Sequence, residues 1–114
     1  MLVNVYYTRR VVQSITPQQA RELIAGGELD VVDVREPNEW SSGHLAGSRL
    51  VPLKQLRASP KALLQRDGVI FVCAAGVRSQ AAANLAVANG LRQVYNLSGG
   101  TQSWVRAGLP LAHD

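Results

Sequence analysis

The sequence has few of the residue types on which disulfide frameworks and metal sites depend. Cys73 is the only cysteine among 114 residues, which excludes an internal disulfide and a metal site of several thiolates. It also leaves no second thiol in the chain, so sulfur or redox chemistry at Cys73 requires an outside partner. The only histidines, His44 and His113, are far apart in the sequence. We therefore expect no metal ion and no other cofactor.

Long apolar runs and dense charge are also missing. No hydrophobic run is long enough to span a bilayer, and residues 1–8 are too short and too polar for the core of a signal peptide. The net charge of +4 comes from scattered cations, with no run dense enough to indicate a nucleic-acid-binding surface. These features predict a cytoplasmic protein that binds neither nucleic acid nor membrane, with a positive charge that attracts small anions.

The remaining composition indicates one globular domain, since 46% of the residues are hydrophobic and 18% are charged. Strand-like segments are predicted at residues 11–15, 29–34, 48–51, 69–72 and 94–97. Helices are predicted from residue 17 to the Gly26-Gly27 pair, at 37–42 and 53–56, from 60 onward, and at 79–89 and 101–107. This alternation predicts an α/β fold with a mainly parallel sheet of four or five strands and helices on both faces.

The first residues are predicted to be separate from this domain. Residues 1–13 form an N-terminal extension or edge strand, and the domain itself covers residues 14–114. Residues 1–8 suit an added edge strand, a contact between subunits or a loose tail, and no function follows from them.

The segment Cys73 to Ser79 joins a predicted buried strand to a predicted helix. Open α/β sheets carry their sites at the carboxyl ends of strands, which is where Cys73 lies. A loop that curls here turns backbone N–H groups inward, and such a nest binds anions and lowers the pKa of a thiol. Gly76 allows that backbone conformation, Arg78 offers its guanidinium to an oxyanion, and Ser79 can cap the helix. The alternative is that Cys73 is only a small buried hydrophobe.

Four motifs occur in a characteristic order. They are Ile15-Thr16-Pro17; the segment Asp33 to Ser48 with Pro52 after it; the loop Cys73 to Ser79; and Leu97-Ser98-Gly99-Gly100 followed by Trp104 and Gly108-Leu109-Pro110. Together they make the chain resemble the single-domain rhodaneses, sulfurtransferases of the thiosulfate type, over residues 14–111. The resemblance implies a rhodanese-like three-layer α/β/α fold.

The resemblance also implies a two-step transfer of sulfane sulfur. The Cys73 thiolate attacks the outer sulfur of a small anionic donor such as thiosulfate and becomes a persulfide. Cyanide or a thiol, on a small molecule or a protein, then accepts that sulfur. Substrate and persulfide are expected to be held by the loop amides and the cation of Ala74, Ala75, Gly76, Val77, Arg78 and Ser79.

The other residues of these motifs are expected to support the site. Asp33 and Arg35 brace the catalytic loop from the neighbouring strand or form a structural ion pair, with Glu39 as a further partner. His44 makes structural hydrogen bonds, because a thiolate held by amides needs no base. Trp40 and Trp104 are predicted core anchors, and Gly99-Gly100 permits a tight turn.

Two other functions stay open at this point. Cysteine-based phosphatases that resemble this family carry Cys-x5-Arg, a wider cradle for phosphate, whereas only four residues separate Cys73 from Arg78. This spacing favours sulfur transfer over a phosphatase or an arsenate reductase. A non-catalytic rhodanese-like binding module is disfavoured by the presence of Cys73. Ala74 and Ala75, where relatives often carry polar or bulky residues, predict an open mouth.

Overall fold

The computed structural model of the protein describes residues 11–114, and the predictions for residues 1–8 lie outside this range. The strands are β1 (Val12–Ile15), β2 (Asp30–Asp33), β3 (Arg49–Leu50), β4 (Val69–Val72) and β5 (Val94–Leu97). The helices are α1 (Pro17–Ala25), α2 (Pro37–Ser41), α3 (Leu53–Ala58), α4 (Pro60–Leu63), α5 (Val77–Ala88) and α6 (Gly100–Arg106). Every predicted element between residues 11 and 107 is present, with small shifts at its ends.

The five strands form one parallel sheet in the order β1-β5-β4-β2-β3. This confirms the predicted parallel sheet and makes β4 its central strand. The carboxyl ends of parallel strands meet at one edge of a sheet, so Cys73, directly after β4, lies at that edge. Asp33, the last residue of β2, pairs in register with Val72 beside it. The fold thus brings two of the four motifs next to each other.

Alternate side chains of β4 enter two hydrophobic clusters, one on each face of the sheet. Phe71 is fully buried against Leu56 of α3 and the alanines of α5. Ile70, on the opposite face, lies in a cluster with Ala20 of α1 and Trp104 of α6. The result is the three-layer α/β/α arrangement that the resemblance implied.

The ends of the helices show where local signals succeed and where they fail. Thr16 and Gln19 form the expected capping box at α1, with Thr16 N–H donating to the Gln19 side chain at 2.9 Å. Ser59 precedes Pro60 as predicted, but its side chain makes no capping hydrogen bond. The prediction that Ser79 caps the next helix is wrong. Gly76 occupies the N-cap in a left-handed conformation, so α5 begins at Val77 and Ser79 lies inside its first turn.

The prediction that Trp40 is a core anchor is also wrong. The short helix α2 has no buried residue, and Trp40 is only half-buried. Its indole stacks on the imidazole of His44, with 3.6 Å between ring centroids and 4° between the planes. Trp104, by contrast, is buried as predicted, and its indole N–H donates to the carbonyl of Pro110 at 2.8 Å.

Within residues 11–114, β1 forms one edge of the sheet and pairs with β5. It includes residues 12 and 13 of the predicted extension, so the sheet begins before residue 14. No helix in this range is both long and apolar enough to cross a membrane. No group of three His, Cys, Asp or Glu side chains in this range could hold a metal ion.

Candidate active site

Cys73 lies at the base of the loop between β4 and α5, with 1% of its surface exposed. The backbone N–H groups of Gly76 and Ser79 donate to its Sγ, at N···S distances of 3.1 and 3.3 Å. The hydroxyl of Ser79 lies 3.2 Å from the same sulfur. The loop therefore surrounds the sulfur with hydrogen-bond donors.

Gly76 gives the loop this shape. Its φ of +93° lies in the left-handed region, and a Cβ there would come within 3.1 Å of the Gly99 backbone nitrogen. The turn at Gly76 starts α5 directly behind the sulfur, so the positive end of the helix dipole faces it. Both the close approach and the conformation require glycine.

The first turn of α6 holds the outer side of the same loop. The backbone N–H of Thr101 donates to the carbonyl of Cys73 at 2.8 Å, and that of Gln102 donates to the carbonyl of Ala74 at 3.1 Å. Gly100 has a φ of +62°, and a Cβ there would overlap the Cys73 carbonyl oxygen and the Ala74 backbone. The Gly99-Gly100 pair therefore lets α6 contact the active-site loop, in addition to forming the predicted turn.

Asn96 of β5 completes the inner side of the site, and the sequence analysis missed it. Its Oδ1 accepts a hydrogen bond from the Ser79 hydroxyl at 2.6 Å, and its Nδ2 donates to the Gly76 carbonyl at 3.1 Å. Nδ2 also donates to the Gln80 side chain at 3.1 Å, and Asn96 is 5% exposed. The sequence does contain a signal for Asn96, since it is an amide side chain within a predicted buried strand. A buried polar group needs hydrogen-bond partners, so a role in a hydrogen-bond network could have been predicted.

Hydrogen bonds to the sulfur favour the thiolate. Burial of Cys73 raises the pKa of its thiol. Donors from the Ser79 hydroxyl and from the backbone N–H groups of Ser79, Ala75 and Gly76 lower it, and the net direction is downward. A thiolate is the nucleophilic form of cysteine. At neutral pH the native site thus holds a larger fraction of the reactive form than a free cysteine does.

In the structure the single hydrogen of the Ser79 hydroxyl is donated to Oδ1 of Asn96 at 2.6 Å, but the Cys73 thiolate, 3.2 Å from the same hydroxyl oxygen, competes for it. The substitution Ser79→Ala removes this donor, so we expect it to raise the pKa of Cys73. The measurement is the rate of iodoacetamide alkylation as a function of pH. The wild-type midpoint should lie below the value of about 8.5 for free cysteine, and the variant's midpoint should move to higher pH. Ser48→Ala is the matched control, because it removes a hydroxyl that donates to the Leu45 carbonyl at 2.6 Å instead of to sulfur. Equal midpoints in all three proteins would contradict the role of Ser79.

Arg78 pairs with Glu39 of α2, an ion pair that the sequence analysis did not foresee. Nη1 donates to Oε1 at 2.7 Å and Nη2 donates to Oε2 at 2.9 Å. The hydrogen bond from Arg78 lowers the pKa of Glu39 to about 2, and the same contact raises the pKa of Arg78. The charge of Arg78 is therefore balanced by a carboxylate, and the expectation that it stands ready for an oxyanion needs revision. Glu39 had been expected to join the Asp33–Arg35 pair, but it pairs with Arg78 instead.

Asp33 and Arg35 form a buried ion pair. Nη2 of Arg35 donates to Oδ2 of Asp33 at 2.8 Å and to the Gly43 carbonyl at 2.7 Å. Asp33 is 0% and Arg35 5% exposed. The pair connects the end of β2 to Gly43, the residue before His44. Among the described residues, the hydrogen bonds of the pair do not reach the Cys73 loop, so any bracing of that loop is indirect. A pair of this kind is structural, because removing either partner leaves a buried charge.

His44 makes hydrogen bonds away from the sulfur. Nδ1 lies 3.0 Å from the Trp40 carbonyl, and Nε2 lies 3.0 Å from Oδ1 of Asp114. Its backbone pairs with Ala112 in both directions, at 2.9 and 2.7 Å. His44 thus connects the C-terminal segment to α2, and both of its ring nitrogens have hydrogen-bond partners.

Three residues of the Cys73 loop, Ala74, Ala75 and Val77, have apolar side chains and are called the rim below. Ala74 is half-buried, Ala75 is exposed, and Val77 is 76% exposed. Cys73 itself is 1% exposed, so the open mouth expected from Ala74 and Ala75 stays a prediction. An exposed valine next to a reactive thiol gives this rim an apolar character.

The sequence profile of the rhodanese-like domain family matches residues 16–107. This chain belongs to that family. Over 92 residues, the rhodanese-like domain is 36% identical to the thiosulfate sulfurtransferase GlpE of Pseudomonas aeruginosa, with 81% of this chain and 83% of GlpE covered. It also resembles the crystal structure of a rhodanese-related protein from Thermoplasma volcanium, with a TM-score of 0.80, 35% identity, and coverage of 90% and 99%.

A third similar protein carries a different name. It is a protein of unknown function from Rhodopseudomonas palustris, named a possible tyrosine phosphatase, with a TM-score of 0.79 and 32% identity. The match covers 89% of the rhodanese-like domain and 85% of that protein. The family and its sulfurtransferase relatives are therefore clear, whereas the specific reaction has to be argued from the site.

Proposed function

We propose that this rhodanese-like domain is a sulfurtransferase of the thiosulfate type that takes sulfane sulfur from thiosulfate or a persulfide donor and carries it as a persulfide on Cys73. The observation that carries the proposal is the pair of N–H groups, from Gly76 and Ser79, that donate to Sγ at 3.1 and 3.3 Å. Fixed donors of this kind stabilise negative charge on sulfur without having to reorient. Thiolate and persulfide are both anions, so the same donors serve both states.

In the first step, the Cys73 thiolate attacks the outer sulfur of thiosulfate or of a persulfide donor. A bond forms between Sγ and that sulfur, the S–S bond of the donor breaks, and its electron pair leaves with sulfite or with the donor thiolate. In the second step, cyanide or a thiol attacks the terminal sulfur and restores the Cys73 thiolate. No base is required, which suits a site in which both nitrogens of His44 are occupied elsewhere.

The site also supports an acceptor larger than cyanide. Ala75 and Val77 are exposed beside Cys73, and such a surface suits a small thiol or a thiol on a protein. Because the chain has one cysteine, the transferred sulfur has to leave on another molecule. The proposal includes a cytoplasmic location, where thiols are kept reduced and such acceptors are abundant.

A phosphatase is the second candidate, because of the name carried by the Rhodopseudomonas palustris protein. The site supports it less well, for two reasons. Only four residues separate Cys73 from Arg78, and the guanidinium that would bind phosphate is paired in bidentate fashion with Glu39.

Mass spectrometry of the intact protein tests the proposal. Treatment with thiosulfate should add the mass of one sulfur atom, and cyanide should then remove it and yield thiocyanate. Hydrolysis of an aryl phosphate is measured in parallel. Phosphate hydrolysis with no added sulfur would overturn the proposal in favour of a phosphatase. No reaction with either substrate would overturn it in favour of a binding module.

A further inference from the structure

Within residues 11–114, two ion pairs match the charged side chains near Cys73. Arg35 is bound to Asp33, and Arg78 is bound to Glu39. When Cys73 is a thiolate, these five groups carry one uncompensated negative charge, which is on the sulfur itself. A site built for a dianion would be expected to offer an unmatched cation.

We propose that Glu39, by holding Arg78, selects sulfur donors that carry a single negative charge on an organic group, such as organic thiosulfonates and persulfides, over the dianion thiosulfate. This inference rests on the proposed function and assigns a donor class to the same site. Glu39 acts through Arg78 and is a positioning residue.

Glu39 is fixed from two directions. Its Oε1 accepts the hydrogen bond from Arg78 at 2.7 Å and also accepts one from the backbone N–H of Glu36 at 3.0 Å. The second contact belongs to the capping box at the start of α2, so the carboxylate is held by its own helix. The pair is therefore more rigid than an ordinary surface ion pair, whose two flexible side chains have to be ordered. With the pKa of Glu39 lowered to about 2, the carboxylate stays charged throughout the neutral range.

The rim supplies the other half of the selection. Ala74, Ala75 and Val77 belong to the loop that holds the sulfur, their side chains are all apolar, and Val77 is 76% exposed. An organic group on the donor would bury some of this apolar surface on binding. The sulfonate of thiosulfate has no such group, and its charges would meet a cation that Glu39 already neutralises.

The test compares two donors in the wild-type protein and in Glu39→Gln. Glutamine keeps the capping box, since its amide oxygen can still accept from Glu36, but it removes the charge that neutralises Arg78. We expect kcat/KM for thiosulfate to rise roughly tenfold through a lower KM, as for a gained charged hydrogen bond. Benzenethiosulfonate carries one charge, and when the Cys73 thiolate takes its outer sulfur the S–S bond breaks and its electron pair leaves with benzenesulfinate. For this donor the change should stay within about twofold, the size expected of a single screened contact.

Two further variants make the result specific. Asp30→Asn, at the amino end of β2, changes the net charge equally but releases Arg49 of β3 from an ion pair of 2.8 Å. It should leave kcat/KM for both donors unchanged. In the double variant Glu39→Gln/Arg78→Ala, the gain for thiosulfate should disappear, because Glu39 acts through Arg78.

The outcomes separate this inference from the proposed function. A thiosulfate KM that is equal in wild type and Glu39→Gln, with persulfide formation intact, overturns only the role of Glu39. An equal gain for both donors, or a gain that survives Arg78→Ala, overturns it too. A wild-type protein that forms no persulfide with either donor overturns the proposed function itself.

Discussion

Cys73→Ser is expected to abolish both steps of sulfur transfer while the fold is retained. Serine is nearly isosteric with cysteine, and its hydroxyl can accept from the amides of Gly76 and Ser79, so the buried site stays satisfied. A hydroxyl remains protonated at neutral pH, and among residues 11–114 no carboxylate or imidazole hydrogen-bonds to the atom at this position to activate it. The rate of thiocyanate formation should therefore fall by at least about a thousandfold, as when a catalytic nucleophile is removed.

Intact mass after thiosulfate treatment, thiocyanate release and thermal unfolding together check this expectation. The variant should gain no sulfur, and its melting curve should stay close to that of the wild type. The chain has no other cysteine, so a persulfide cannot form at a second site and confuse the result. Thiocyanate production at the wild-type rate would show that the sulfur does not pass through Cys73.

Gly100→Ala is expected to weaken both stability and sulfur transfer. An added Cβ would overlap the Cys73 carbonyl and the Ala74 backbone, so the loop and α6 would have to separate. The left-handed φ of +62° adds a backbone cost. We expect the free energy of unfolding to fall by roughly 2–5 kcal/mol from overpacking and backbone strain together. Persulfide formation should slow by at least about tenfold, because the donors around the sulfur move.

Gly108→Ala is the matched control for this prediction. Gly108 follows α6 with a φ of +84°, but a Cβ there would meet nothing within 4 Å. It should lose only the backbone contribution of about 1–2 kcal/mol, with persulfide formation unchanged. Urea denaturation and the rate of persulfide formation are measured on both variants. Equal losses of stability in the two would show that the contact between Gly100 and the loop is unimportant.

Local patterns in the sequence predicted the fold and the position of Cys73 well. The capping box at Thr16 and the apolar run before Cys73 are determined by neighbouring residues, so the elements they define appear where expected. Ser79 shows the limit of such signals. A serine near a helix start suggests a cap, but the left-handed turn at Gly76 starts α5 earlier and frees the hydroxyl for Asn96.

Contacts between distant elements were beyond the reach of sequence patterns. Glu39 and Arg78 are far apart in the chain, and they meet only because α2 lies beside the start of α5. Nothing near either residue indicates that partner. Asp33 and Arg35, by contrast, are two positions apart, and their ion pair was one of the two roles expected of them. The sequence therefore predicted where Cys73 and its loop lie, but not that Arg78 pairs with Glu39.

The contacts from α6 to the outside of the loop have a consequence for the sulfur inside it. Gln102 N–H donates to the Ala74 carbonyl, and the same peptide group presents the Ala75 N–H to Cys73. Hydrogen bonding at one end of a peptide group polarises it and strengthens the bond at the other. A second helix thus adds its dipole to the stabilisation of the sulfur anion without touching it. A substitution that shortens α6 is therefore expected to raise the pKa of Cys73, although α6 acts on the sulfur only through the peptide group between Ala74 and Ala75.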